Sequence, residues 1–560
     1  MKQSKGPRVL RGVAGLKKHD MKTASIVFMV YCLVCAGAFG IEEMVPAGPG
    51  VTLTLLLIFP VIWAWPISNM MAEAGSLFPS EGGIYVWAKE AFGEFWGFQA
   101  CWWNTASAYI TNSVYTALVV DYVSQYAHMS ETVAFTLKIL MIAVFTVINL
   151  LGIKEVGMVS SALSVLILLA FAVVAAVGFM NWGQNPMTPY VADGMSLMEG
   201  VGGTVAICAW MYCGYESISI IAGEVKKPQI IPKALMLCMP LVALSYVLPT
   251  LAGLASVGRY EDWATYGGGG SVGYADVLTT YLGEGWGYAF LFIAIISQCA
   301  IFNAYLASGS RGFFVLADDH LCPKVLTKVS KKRGVPYVGV LSLALVTALL
   351  AKYDFKTLVK TEVIFIMAMY IILPPTILKL REMYPVEGRK GLFVMPGGKA
   401  GLYLFTLVPF ALAIFIYFMN GTDNFLIGVA AASTGPIVYM ALKWVYGGCS
   451  RDNPEKYPLN PVTRLNYGDS FRVALFSAIL GLASLAGSVF LSWYEGGWGE
   501  EYYANEAESA YFSDFWWMID MLKWVGAALL IAAFVLLMLG VAVERQSAAP
   551  APAKAGKGGD

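Results

Sequence analysis

The sequence predicts an all-α polytopic membrane protein of about fourteen transmembrane helices, built as an inverted five-plus-five helix repeat with spans 1 and 6 broken. Three observations carry this. Of 560 residues, 58% are hydrophobic and only 13% charged, with a mean hydropathy of +0.64; a soluble chain would hold about 25% charged residues. Apolar runs of about 20 residues, the length that crosses a bilayer, recur along nearly the whole chain. Two of these runs, five spans apart, carry glycine at mid-membrane followed by a carboxylate, the pairing of discontinuous helices expected of inverted repeats. The alternating ten-residue strands of an outer-membrane barrel do not appear.

Residues 1–22 form a basic arm, with Lys17, Lys18 and Lys22 against the membrane, cytoplasmic by the positive-inside rule and too polar for a cleavable signal peptide. Span 1 covers about 23–47 and span 2 about 51–75. Span 1 ends in CAGAFGIEEMVPAGPG, residues 35–50. Gly37 and Gly40 let the helix unwind. In a membrane the freed backbone groups must face protein, water or a ligand. Glu42 and Glu43 follow, and a carboxylate at that depth costs about 2.5–3.5 kcal/mol. The two point about 100° apart on a helix, one toward a cavity and the other toward an aqueous vestibule. The stretch reads as the first half of a binding site inside a transporter.

Residues 71–98 are too polar for a plain span and too apolar for a plain loop. Spans 3, 4 and 5 cover about 96–125, 133–151 and 156–179, and spans 6, 7 and 8 about 198–222, 234–257 and 275–314, the last long enough to tilt or protrude. Gly267–Gly270 lies in an outer loop and reads as a connector, since no strand or Walker pattern surrounds it. Residues 324–333, KVLTKVSKKR, form the most basic loop and belong inside. Spans 9 to 12 cover about 336–352, 360–380, 401–420 and 423–446. A polar linker, 448–470, leads to two further spans within 471–543 and an Ala/Pro/Gly/Lys tail, 544–560, disordered by composition. Lys and Arg then fall on one side with few exceptions, Arg259 and the Lys352, Lys356 and Lys360 turn, which places both termini in the cytoplasm and the chain in the cytoplasmic membrane.

Span 6 reads VAICAWMYCGYESISIIAGEVKKP, residues 205–228. Gly214 is its break and Glu216 its carboxylate, with Glu224 at the cytoplasmic end. Glu216 serves either the substrate or a structural donor such as a Tyr. Phe39, Trp210, Tyr212 and Tyr215 are candidate gates that stack on a substrate, against a plain packing role. Glu362 falls near the outer end of span 10, where it is expected to be solvated or paired with Lys360. Cys32 and Cys35 form a CxxC inside an apolar helix, which packing explains better than redox chemistry. Three scattered histidines make no metal site, and no nucleophile–base pair is visible in the spans. An enzyme, a metal centre and a cofactor are therefore not expected. Basic residues sit in short loops without interleaved aromatics, so nucleic acid is not a partner. A channel would need a continuous polar stripe or charged rings; a sensor would bind without flux.

Several stretches resemble the amino acid–polyamine–organocation permease superfamily. Residues 72–98, AEAGSLFPSEGGIYVWAKEAFGEFWGF, look like its span 2–3 signature; residues 222–235, AGEVKKPQIIPKAL, like its span 6–7 loop; and residues 311–340 like its span 8–9 loop. The match covers about 20–447. Within it, GAFGIEEM, GFQACWW, ITNSVYTALVVDY and GYESISIIAGEV look most like the polyamine-uptake subgroup. The resemblance implies a LeuT-like fold and alternating access, with a small amine or amino acid held between spans 1, 3, 6, 8 and 10. The unwound turns at Gly37, Ala38, Phe39 and Gly40 and at Cys213, Gly214 and Tyr215 would supply backbone dipoles, and Glu42 and Glu216 would hold ammonium groups. Glu216 is also the candidate for proton coupling. Span 5 lacks the lysine some relatives use in place of sodium. Two departures stand out. Thr111 occupies mid-span 3, where the subgroup tends to have an acid, which turns the expectation toward a shorter diamine, agmatine or an amino acid. The two extra C-terminal spans exceed the twelve-span pattern and read as a homo-oligomer contact or a lid. The competing expectation is an amino acid permease or exchanger that binds the α-carboxylate at the span 1 turn.

Overall fold

The computed structural model describes residues 22–35, 37–79, 82–124, 129–217, 225–226, 228–263, 272–389, 391–504 and 512–548. The basic arm through Met21, Glu224, Gly267–Gly270 and the tail from Ala549 lie outside the described residues. Among those described the chain is helical, with one isolated bridge between Leu459 and Asn466. Among the described residues ten helices are long and apolar enough to cross a membrane, and three shorter apolar ones accompany them. The protein is a multi-pass membrane protein.

Span 1 is helical only over α1, Thr23–Val34. The break comes earlier than the residue pattern suggests, and the chain continues as a 3-10 turn, Ile41–Ala47, with Pro46 inside it. Gly37 and Gly40 hold φ of +116° and +93°, a region that side chains with a Cβ avoid. Pro49 then opens α2, Pro49–Phe59, which passes through a π turn at Pro60–Ala64 into α3, Trp65–Leu77. Prolines 60 and 66 lack the N–H that would hold a regular helix there.

The ambiguous 71–98 stretch resolves into the end of α3, a turn and a short helix α4, Ile84–Phe92, leading through Gly93 into α5, Glu94–Ser124. Helices α6 and α7 are Glu131–Leu151 and Ile153–Met180. Ser196 caps α8, Leu197–Met211, in a reciprocal pair with Glu199. α9 is Ile231–Ser256. The long span 8 expected from sequence is two elements, α10 (Tyr274–Leu282) and α11 (Glu284–Gly309), divided by Gly283 at φ +97°. α12 is Gly312–Asp318 and α13 Tyr337–Leu350. α14, Phe355–Met383, starts five residues before the expected span 10, because Asp354 caps it by accepting the Thr357 N–H at 2.9 Å. α15 is Gly398–Met419 and α16 Thr422–Tyr446.

The chain packs as two compact units: Met1–Asp318 with Lys324–Gly428, and Asp319–Pro323 with Val429–Asp560. The division falls inside α16 rather than at the polar linker. In the second unit α17, Asp469–Tyr494, packs on α19, Phe515–Ala548, beyond the short α18, Gly499–Ala504. Gly481 and Gly526 let the two backbones approach, since a Cβ on Gly481 would lie 2.9 Å from Gly526 O. Ser484 Oγ also donates across the pair to Leu522 O at 2.7 Å. Small residues and a hydroxyl are what tie helices together where lipid competes for apolar faces.

Candidate functional site

The two broken helices meet. A Cβ on Gly214, whose φ is +108°, would lie 2.6 Å from Leu33 O, in the last turn of α1. The Tyr246 hydroxyl of α9 reaches the last carbonyl of each helix, 3.1 Å to Val34 O and 2.8 Å to Met211 O. A helix end leaves its final carbonyls without intrahelical donors, so one buried hydroxyl serves both breaks.

A small cavity lies against this junction, with about 20 Å³ of room for the centre of a water molecule, space for about one water. Its wall includes Val34, Cys35, Phe39, Thr111, Tyr115, Trp210, Cys213, Gln298, Tyr305 and Glu362 and, among the described residues, no Lys, Arg or His. Phe39 packs on Phe171 at 4.9 Å and Tyr122 at 5.3 Å. On the other side Trp210 packs on Phe355 at 5.6 Å, and Tyr115 on Tyr305 at 5.6 Å. The polar part of the wall is shared by Thr111 of α5, Gln298 and Tyr305 of α11 and Glu362 of α14.

Of the residues expected from sequence, Phe39, Thr111, Trp210 and Cys213 line the cavity. The others stand behind it. Ala38 is fully buried. Gly37 and Gly40 turn their N–H groups inward on the chain, to Cys35 Sγ at 3.3 Å and Glu42 Oε2 at 2.9 Å. Glu42 thus closes its own turn. The Gly214 N–H donates to Glu216 Oε2 at 3.1 Å, and Tyr370 of α14 donates to the same oxygen at 2.6 Å. Tyr212 donates to Leu56 O at 2.9 Å and stacks edge-on against Tyr246. Tyr215 is fully buried.

Glu362 departs from its expected place. It is neither solvated nor paired with Lys360: it is 3% exposed, lines the cavity and accepts a hydrogen bond from Ser107 of α5. The reason is the early start of α14. Glu362 sits seven residues past Phe355, about 10 Å along the axis. Its neighbour in the wall is Thr111, so α14 supplies a carboxylate where mid-span 3 lacks one. The helix-capping signal at Asp354 is what could have revealed this from sequence.

The amino acid permease family model matches residues 22–446. The chain belongs to this family. The permease is therefore a membrane transporter of a small solute rather than an enzyme, and its likeness to polyamine uptake proteins holds among curated relatives. It is 29% identical over 426 residues to the polyamine transporter RMV1 of Arabidopsis thaliana, covering 75% of this chain and 84% of that protein. It is 29% identical over 433 residues to the polyamine transporter PUT1 of Oryza sativa subsp. japonica, covering 75% and 78%. It is 23% identical over 399 residues to the serine/threonine exchanger SteT of Bacillus subtilis (strain 168), covering 68% and 87%.

In this permease Tyr246→Phe removes the shared donor from both helix ends. The hydroxyl carries one proton, so one donated bond is lost; a buried group left without its partner costs about 1–3 kcal/mol, and the unfolding temperature in detergent is expected to fall. An unchanged value would show that the two ends hold without the hydroxyl.

Proposed function

We propose that the permease moves amine-bearing solutes, polyamines first, across the cytoplasmic membrane by alternating access between the two breaks of a LeuT-like inverted repeat, with both termini inside. One observation carries the choice of amine over amino acid. Three backbone amides of the two turns, those of Gly37, Gly40 and Gly214, are already taken by Cys35, Glu42 and Glu216, which leaves fewer donors for a substrate carboxylate. The described cavity wall holds a carboxylate and aromatic faces but no basic group, which suits a cation. The names of the plant relatives support the same reading. A membrane potential adds about 2.3 kcal/mol per charge per 100 mV to inward cation movement. Amino acid exchange is the second reading, favoured by the similarity to the serine/threonine exchanger.

The test is uptake of labelled putrescine by the reconstituted protein, competed by diamines and by neutral amino acids. Inhibition by diamines alone is expected; inhibition only by compounds with an α-carboxylate overturns the reading. Glu216, held by Tyr370 and the Gly214 amide, is the proposed proton carrier. An inward proton gradient is expected to speed uptake in the wild type and not in Glu216→Gln, and equal rates with and without the gradient in the wild type would sink that role.

A further inference from the structure

Among the described residues that line the cavity, Glu362 is the one carboxylate. We propose that Glu362 is the anchor for a substrate ammonium group, a cation position built by α14 and α5 rather than by either broken helix. This rests on the reading of the permease as a carrier of amine-bearing solutes.

The geometry is that of an acceptor site short of donors. Glu362 Oε1 accepts the Ser107 hydroxyl, which fixes the carboxylate against α5. Glu362 Oε2 and Thr111 Oγ1 are both buried, and the Thr111 hydroxyl stands beside the carboxylate without closing a hydrogen bond of full geometry. A buried carboxyl oxygen without a donor is costly once ionised, and a cation that brings its own N–H groups removes that cost. A primary ammonium brings three, enough for Oε2 and Thr111 together through charge-assisted bonds. Trp210, Tyr115 and Tyr305 line the same cavity, and an aromatic face turned to an ammonium group stabilises its charge.

Among the described residues no protein cation competes at the cavity wall. Lys360 is two residues away on the helix, on a different face, and its carbonyl accepts from Asn420 at 2.9 Å. The other acidic candidates are differently placed: Glu42 Oε2 is held by the Gly40 N–H, and Glu216 Oε2 by Tyr370 and Gly214. The site also discriminates by chemistry. A quaternary ammonium carries the charge but no N–H, so it cannot satisfy Oε2.

The experiment uses the full chain, purified in detergent and reconstituted, as wild type, Glu362→Gln, Glu362→Asp and Ser107→Ala. Labelled putrescine uptake and the putrescine-induced rise in unfolding temperature are read on each. Glu362→Gln is expected to raise KM at least about tenfold and to abolish the thermal shift. Its unliganded unfolding temperature should stay near wild type, Glu362→Asp should recover part of the affinity, and Ser107→Ala should lose less. Putrescine uptake by Glu362→Gln with wild-type KM overturns the anchor and leaves the amine reading standing. Failure of the wild type to take up or bind any amine overturns that reading, and the anchor with it. Should Glu362→Gln not fold, competition on the wild type decides: fully N-methylated putrescine is expected to compete poorly, and competition equal to putrescine overturns the anchor.

Discussion

Gly214→Ala is expected to reduce putrescine uptake by roughly thirtyfold or more, the combined effect of strained φ and overpacking. The residue holds φ +108°, and an added Cβ would meet Leu33 O at 2.6 Å and the Tyr305 hydroxyl at 2.8 Å. A sparsely allowed φ costs about 1–3 kcal/mol, and insertion of a methyl into a close-packed site about 1–3 kcal/mol more. Every 1.4 kcal/mol is about a factor of ten. The contact partner on one side is backbone at the end of α1, so relief requires the two broken helices to separate. Gly283→Ala is the control. That glycine also has positive φ, +97°, but nothing lies within 4 Å of its Cβ position. It should lose a little stability and keep uptake. Equal loss of uptake in both variants would mean that backbone strain in general, not the approach of the two breaks, is what transport depends on.

Glu73→Ala is expected to be the most destabilising single change. Glu73 of α3 is 3% exposed and accepts four bonds. Two come from Arg381, at 2.6 and 2.5 Å, one from Arg389 at 2.6 Å and one from the Met395 N–H at 2.9 Å. Arg389 is itself 3% exposed. Removal of one partner from a buried pair costs about 3–5 kcal/mol, because the charge left behind is uncompensated. The carboxylate also fastens the connector after α14 to span 2. The measurement is thermal unfolding in detergent together with membrane expression. A triple variant, Glu73→Met with Arg381→Met and Arg389→Met, should recover much of the loss, since the carboxylate and both of its guanidinium partners then go. If the single variant unfolds within a degree or two of wild type, the cluster is not a structural tie.

Both predictions rest on residues that the sequence marks for different reasons. Gly214 is legible: a glycine in mid-span followed by a carboxylate is visible in one dimension, and backbone that unwinds in a membrane needs it. Glu73 is only one of four glutamates in the stretch 72–98; its arginine partners lie 308 and 316 residues away. The aromatic candidates divide. Phe39 and Trp210 reach the cavity, whereas Tyr212 is drawn off by Leu56 O and Tyr215 sits in the surrounding core. Hydropathy does not say which face of an unwound turn a ring will take, because the 3.6-residue period that fixes faces is lost at the break.

Read alone, the residues make this a helical, multi-pass membrane protein of the permease type and mark the glycines at which spans 1 and 6 give way, although the first helix ends at Val34, ahead of its glycines. Local chemistry suffices for that: apolar length sets the spans, and glycine and proline set the breaks. The tertiary structure decided which carboxylate faces the cavity. Glu42 and Glu216 look available in one dimension, yet the neighbouring Gly40 and Gly214 amides and the distant Tyr370 take their oxygens. Glu362 looks like a span-end residue, yet a helix begun at Asp354 carries it inward against Ser107. Where a side chain's donors come from elements far apart in the chain, only the packing of those elements decides which acid is satisfied and which is left for a ligand.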